Sequence, residues 1–251
     1  MTSLLQKEPK ASCVYVADNA NFPYGEKSHE QVVECVSSLV DEICKKFKPA
    51  VIVLACNTIS VNALEILRQK FTQVQFVGTV PAIKLAASIT RNKCIGLLAS
   101  ASTCENPYNK ELKEKFAKDC KLVMRPDAQL ISFIEQKGFT ASKVELEEAV
   151  RPAVGFFAEN NCDVIVLGCT HFLNIKNVFE KIADNIAIVD SVDGVVRHAL
   201  EVAGGVGRSL RELSEFSSKI RATASLYITG ETNPSYEIIC SKFNLAFGGK
   251  I

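Results

Sequence analysis

The chain has 251 residues, 47% hydrophobic and 23% charged, which is enough apolar side chain to exclude a long disordered chain. Twenty-nine Lys and Arg against 28 Asp and Glu leave a net charge of +1, which argues against a broad nucleic-acid footprint. No apolar run reaches the ~18 residues of a membrane helix, the opening MTSLLQKEPKAS lacks the apolar core of a secretory signal, and ten cysteines are too few for a disulfide scaffold, so the expectation is a cytoplasmic protein with reduced thiols.

In chain order, short apolar runs predict strands at Cys13–Ala17, Val51–Leu54, Gln75–Val77, Cys94–Leu98, Val164–Leu167, Ile186–Val189 and Ser225–Ile228. Runs this continuous suit parallel strands buried on both faces. Between the first two, Ser28–Phe47 places Val32, Val33, Val36, Leu39, Val40, Ile43, Cys44 and Phe47 on one helical stripe. Ser28-His29-Glu30-Gln31 fits a capping box at its start and Pro49 fits its end. Strand–helix alternation of this kind predicts a doubly wound α/β architecture. Gly204-Gly205-Val206-Gly207 follows a helical pattern rather than a strand and reads as a turn.

One echo stands out. Ala50–Asn57 (AVIVLACN) and Asp163–Thr170 (DVIVLGCT) match in type: a buried strand, a small residue, a cysteine, then polar residues entering a helix. The repetition predicts two pseudo-symmetric parallel-sheet lobes with the active site in the cleft between them. Breaks at Gly78-Thr79-Val80-Pro81 and Asp190-Ser191-Val192-Asp193-Gly194 assign residues 1–79 plus 194–251 to the first lobe and 80–193 to the second.

The carboxyl ends of parallel strands are where such sheets bind ligands. A cysteine there meets the positive end of the next helix, which favours the thiolate and predicts a lowered pKa for both Cys56 and Cys169. Two thiols facing each other across a cleft suit inversion at a single carbon, one removing a proton while the other delivers one from the opposite side. Asn57, Thr58, Thr170 and His171 follow the cysteines as groups able to clamp a carboxylate and stabilise an enolate-like charge. Asn and Thr are also ordinary helix caps. The other cysteines, including Cys35 and Cys44, read as small core residues.

Competing chemistries find less support. The chain has no C-x-x-C pair and no H-E-x-x-H, and only three histidines (His29, His171, His198), so no metal is expected. No strand is followed by a dinucleotide or nucleotide phosphate loop, and no lysine stands in a strand-end motif for a pyridoxal Schiff base. A cysteine hydrolase would need Cys169 and His171 to meet, which Cys-x-His spacing does not guarantee.

Four segments resemble the glutamate racemase family: Asp18–Ser28 (DNANFPYGEKS), Ala55-Cys56-Asn57-Thr58, Gly168-Cys169-Thr170-His171 and Val189-Asp190-Ser191. The resemblance implies cofactor-independent interconversion of L- and D-glutamate, supplying D-glutamate for peptidoglycan, with Cys56 and Cys169 as the catalytic thiols. It implies His171 assisting Cys169, Asp18 and Glu135 as auxiliary acids, and substrate contacts from Tyr24, Gly25, Asn57, Thr58, Ser100, Thr103, Thr170 and His171. Glutamate would be the small-molecule partner, with a homodimer the assembly allowed and neither nucleic acid nor membrane involved.

The departures are specific. The family opens with a strand and a D-S-G-x-G-G segment that supplies a catalytic carboxylate and part of the substrate clamp, and no such segment occurs here. A gene start placed too late is the simplest expectation. Without that strand, neighbouring sheet edges should stand unpaired. The alternative readings are therefore a catalytically impaired binding protein on the racemase fold, or a racemase for aspartate or a related amino acid. Phe172-Leu173 stands where the family favours Y-P, and the Glu135 segment needs an extra residue before its glycine.

Overall fold

A computed structural model describes residues 1–205 and 224–251. Its strands are β1 (Val14–Ala17), β2 (Val51–Leu54), β3 (Gln75–Gly78), β4 (Cys94–Ala99), β5 (Lys121–Pro126), β6 (Val164–Leu167), β7 (Ala187–Val189), β8 (Ser225–Ile228) and β9 (Ala246–Lys250). The helices are α1 (Thr2–Lys7), α2 (His29–Phe47), α3 (Asn57–Lys70), α4 (Ile83–Ile89), α5 (Ala101–Glu105), α6 (Tyr108–Phe116), α7 (Ala128–Lys137), α8 (Lys143–Glu159), α9 (Lys176–Ile182), α10 (Val192–Gly205) and α11 (Pro234–Phe243). Every strand pairing is parallel, as the strand–helix alternation predicts.

The four-stranded sheet, in order β5-β4-β6-β7, is covered on both faces. Leu98 and Ile165 point to one side, into a core with Leu130, Ile134, Val150, Phe157, Phe172 and Phe179. Ile95, Leu97, Val164 and Val166 point to the other, against Ile83, Ala86 and Leu112. The period-2 alternation of fully apolar strands thus feeds two cores at once. All residues of β4 and β6 are buried.

The remaining strands form two smaller sheets, β1-β8-β9 and β2-β3. Here the expectation of burial on both faces fails. Only Leu54 of β2 is buried, and Val14 and Tyr15 of β1 are exposed. Among the described residues β1 pairs only with β8 and β2 only with β3, so each keeps one unpaired edge there, as the sequence predicts. The apolar stripe of α2 packs on α3, β2 and β3 through Val32, Val36, Val40, Leu54, Leu67 and Phe76. Its start is the expected capping box: Ser28 Oγ accepts from Gln31 N, and Gln31 Oε1 accepts from Ser28 N at 2.9 Å. Lys48, in left-handed backbone, ends it one residue before Pro49.

Two strands, β5 and β9, lie outside the predicted set. β5 is an edge strand whose short apolar stretch Leu122–Met124 lies between Lys121 and Arg125 and which ends on Pro126, and β9 carries two glycines and a half-exposed Phe247, so neither shows a long apolar run. Gly204 and Gly205 belong to the last turn of α10 rather than to a turn, while Val206 and Gly207 lie outside the described residues. No described helix is long and apolar enough to cross a membrane.

Candidate active site

β2 and β6 each end in a small residue, Ala55 or Gly168, and the next residue caps a helical segment in extended backbone. Cys56 precedes α3, and Cys169 precedes a 3₁₀ helix over Thr170–Ile175. Both thiols are half-buried. The two units touch directly, because Thr170 Oγ1 donates to the Ala55 carbonyl at 3.0 Å.

Electrostatics separates the two thiols. Burial pushes the Cys56 thiol up to about 11, with the charge of nearby Cys169 adding to the rise and hydrogen bonds from Ile59 N and Thr58 opposing it. The expected lowering at a helix start is thus overturned at Cys56, where loss of water outweighs the helix end. Cys169 has a different neighbour. His171 Nδ1 lies 3.6 Å from Cys169 Sγ, so the two side chains do meet, and His171 Nε2 lies 2.9 Å from Glu135 Oε2 on α7. Burial pulls the imidazole down, but hydrogen bonds to Cys169 and Glu135, with the charges of both, raise it to about 9. The imidazole therefore bridges thiol and carboxylate, and Phe22 packs against its ring at 5.5 Å. The extra residue before Gly138 does not keep Glu135 from this contact. Phe172, where the family favours tyrosine, is fully buried against Phe179.

On the Cys56 side, Asn57 and Thr58 begin α3 and are buried. Thr58 Oγ1 lies 2.9 Å from Ser100 Oγ and 3.2 Å from Thr103 Oγ1, and Ser100 Oγ donates to Thr103 Oγ1 at 3.0 Å. Ser100 also caps α5, which sets this hydroxyl cluster at the end of β4. Thr103 is fully enclosed. Asn57 Oδ1 is buried without a hydrogen-bond partner among the described residues, an acceptor whose natural complement is a donor such as an ammonium group.

The Tyr24–Glu26 turn closes against this cluster. A Cβ on Gly25 would lie 2.7 Å from Ser100 Cβ, so only glycine lets the turn approach so near. Tyr24 is buried and its hydroxyl donates to Asp18. Burial, then this hydrogen bond, drive the phenol well above its ordinary range. Asp18 also accepts from Asn21 Nδ2, 3.0 Å from each oxygen, and from Thr229 Oγ1 at 2.6 Å. Both oxygens of this expected auxiliary acid are thus taken up by donors. Thr229 carries no motif that marks it and is 211 positions from Asp18, so only the fold reveals the contact.

Residues 1–199 match the family model for Asp/Glu/hydantoin racemases. A glutamate racemase of Treponema pallidum subsp. pallidum is 40% identical over 229 residues, covering 91% of this chain and 81% of that protein. A glutamate racemase of Proteus mirabilis is 40% identical over 195 residues, covering 76% and 67%. The solved Escherichia coli glutamate racemase, in complex with L-glutamate and the activator UDP-MurNAc-ala, is 28% identical with a TM-score of 0.82, over 100% of this chain and 92% of that one. With its parallel sheets, its two strand-end cysteines and these matches, the chain belongs to the Asp/Glu/hydantoin racemase family.

Proposed function

We propose that this chain interconverts L- and D-glutamate without a cofactor, using Cys56 and Cys169 as the two proton-transfer groups. The observation that carries the reading is the pair of half-buried thiols at the ends of β2 and β6, in two units joined by the hydrogen bond from Thr170 to the Ala55 carbonyl. One thiolate takes the α-proton, and the opposite thiol gives its own proton to the other face of the carbanion. The reverse direction exchanges the roles. The high pKa of the Cys56 thiol suits it to be the protonated partner at rest, and His171, 3.6 Å from Cys169 Sγ, is placed to exchange a proton with that thiol.

Substrate recognition follows from the same geometry. Asn57 Oδ1 accepts from the α-ammonium, while the hydroxyls of Thr58, Ser100 and Thr170 and the backbone of Tyr24–Gly25 hold carboxylates. Asp18 and Thr103 support these groups from behind, and Glu135 orients His171. The lobes are residues 1–79 with 194–251, and 80–193. The setting is the cytoplasm, the product serves peptidoglycan synthesis, and a homodimer is the assembly.

Circular dichroism of the purified chain with L-glutamate and, separately, L-aspartate tests the reading. Loss of signal with glutamate and at least ~100-fold slower loss with aspartate is expected. Faster turnover of aspartate would overturn the substrate assignment, and no turnover of either by the folded chain would overturn the activity.

A further inference from the structure

We propose that Thr229 is a positioning residue for substrate binding, through which the C-terminal segment holds the Tyr24–Gly25 turn against the Ser100 cluster. The inference rests on the glutamate reading given above. It begins with the end of β8, where Thr229 N and Gly230 N donate to Asn19 Oδ1 at 3.1 and 2.7 Å, and Asn19 Nδ2 donates to the Glu231 carbonyl at 2.8 Å. These bonds fix the loop after β1 to the strand beside it.

The Thr229 hydroxyl then has a determined direction. Ala20 N donates to its oxygen at 3.1 Å, so its own proton goes to Asp18 Oδ1, 2.6 Å away. The Tyr24 hydroxyl donates to the other carboxylate oxygen. Hydrogen bonds to a charged acceptor are stronger and more directional than neutral ones, so Asp18 transmits the placement of Thr229 to Tyr24. The next residue, Gly25, lies against Ser100, whose hydroxyl bonds Thr58 beside Asn57. The contacts meet the thiols only further on, where Thr58 hydrogen-bonds Cys56 and Phe22 packs on the His171 ring. The hydrogen bonds of Thr229, Asn19 and Asp18 themselves go to none of Cys56, Cys169 and His171. Loosening them should weaken glutamate binding while leaving proton transfer largely intact.

Thr229→Val keeps the volume, removes the donor to Asp18 and removes the acceptor for Ala20 N. The expected result is a KM for glutamate raised about 10-fold or more with kcat within about threefold of wild type, and recovery of KM within about threefold in Thr229→Ser. A second readout is the [13Cζ]tyrosine NMR signal of Tyr24, assigned by its loss in Tyr24→Phe. It should shift in Thr229→Val and return in Thr229→Ser, whether or not glutamate turns over. If Thr229→Val does not fold, Thr229→Cys, with a weaker donor of similar size, takes the same two measurements. A lowered melting temperature with KM and the Tyr24 signal unchanged would make Thr229 purely structural and overturn the inference, as would a KM effect that serine does not rescue. A wild type that does not turn over glutamate removes the parent reading, and the inference then stands or falls on the Tyr24 signal.

Discussion

β2 and β6 share the letters VIVL, and each hands a cysteine to the segment after it, yet the two strands occupy different surroundings. β6 is paired on both sides and wholly buried. β2 is paired on one side among the described residues and buries only Leu54. The difference reaches the residue before the cysteine. A Cβ on Gly168 would lie 2.6 Å from Leu97 Cδ1 and 3.1 Å from Ala99 Cβ, both on the adjoining β4, whereas Ala55 is exposed. It also reaches the thiols: Cys169 has the His171 imidazole at 3.6 Å backed by Glu135, while Cys56 is held by donors from Ile59 and Thr58 in surroundings that raise its pKa. Identical local sequence therefore yields two chemically unequal thiols, because neighbours in space decide burial and charge.

The sharpest way to break the comparison is to remove either thiol. Cys56→Ala and Cys169→Ala should each lower the racemisation rate by at least roughly 10³-fold, measured by polarimetry, with the melting temperature changed by no more than a few degrees. Near-normal racemisation in either variant would reduce the pair to one working thiol.

Gly168→Ala comes next. The methyl must enter space held by Leu97 and Ala99, so urea unfolding should show a loss of about 1–3 kcal/mol. Ala55→Gly, at the matching place in β2, should cost under about 1 kcal/mol. Equal costs would mean that the two strand ends are packed alike.

Glu135→Gln probes the His171 side alone. The raised pKa of His171 makes its contribution to stability complete below the ordinary value of 6.5, and that contribution is lost as pH rises through about 9. Activity that depends on the imidazolium should have an alkaline limb in the same window. Removing the carboxylate charge takes away one of the causes that raise His171, so the limb should move to lower pH. An unmoved limb would detach Glu135 from the proton balance of Cys169. The smallest effect is expected at Cys44, partly buried against the α2–α3 core: Cys44→Ala should leave activity within about twofold and stability within about 1 kcal/mol.

Much of this was legible in the letters. Continuous apolar runs marked β4 and β6, Ser28 and Gln31 marked the start of α2, and the doubled cysteine motif marked both ends of the site. Other features were not. The pKa of Cys56 depends on how much water its surroundings exclude, which helix-end arithmetic does not contain. Strands β5 and β9 sit at sheet edges, where polar residues and glycine are tolerated and the apolar signal fades. Asp18 stood out as an acid in a motif, but its donors come from Tyr24, Asn21 and Thr229, and Thr229 arrives only when β8 pairs beside β1.

Racemisation in deuterated water, followed by NMR of each enantiomer at low conversion, tests the two-thiol account most directly. Starting from L-glutamate, the D-glutamate formed should carry deuterium at the α-carbon while the remaining L-glutamate keeps its proton, and the mirror result should hold from D-glutamate. Deuterium appearing equally in recovered substrate and product would mean that a single group serves both faces, and would contradict the account.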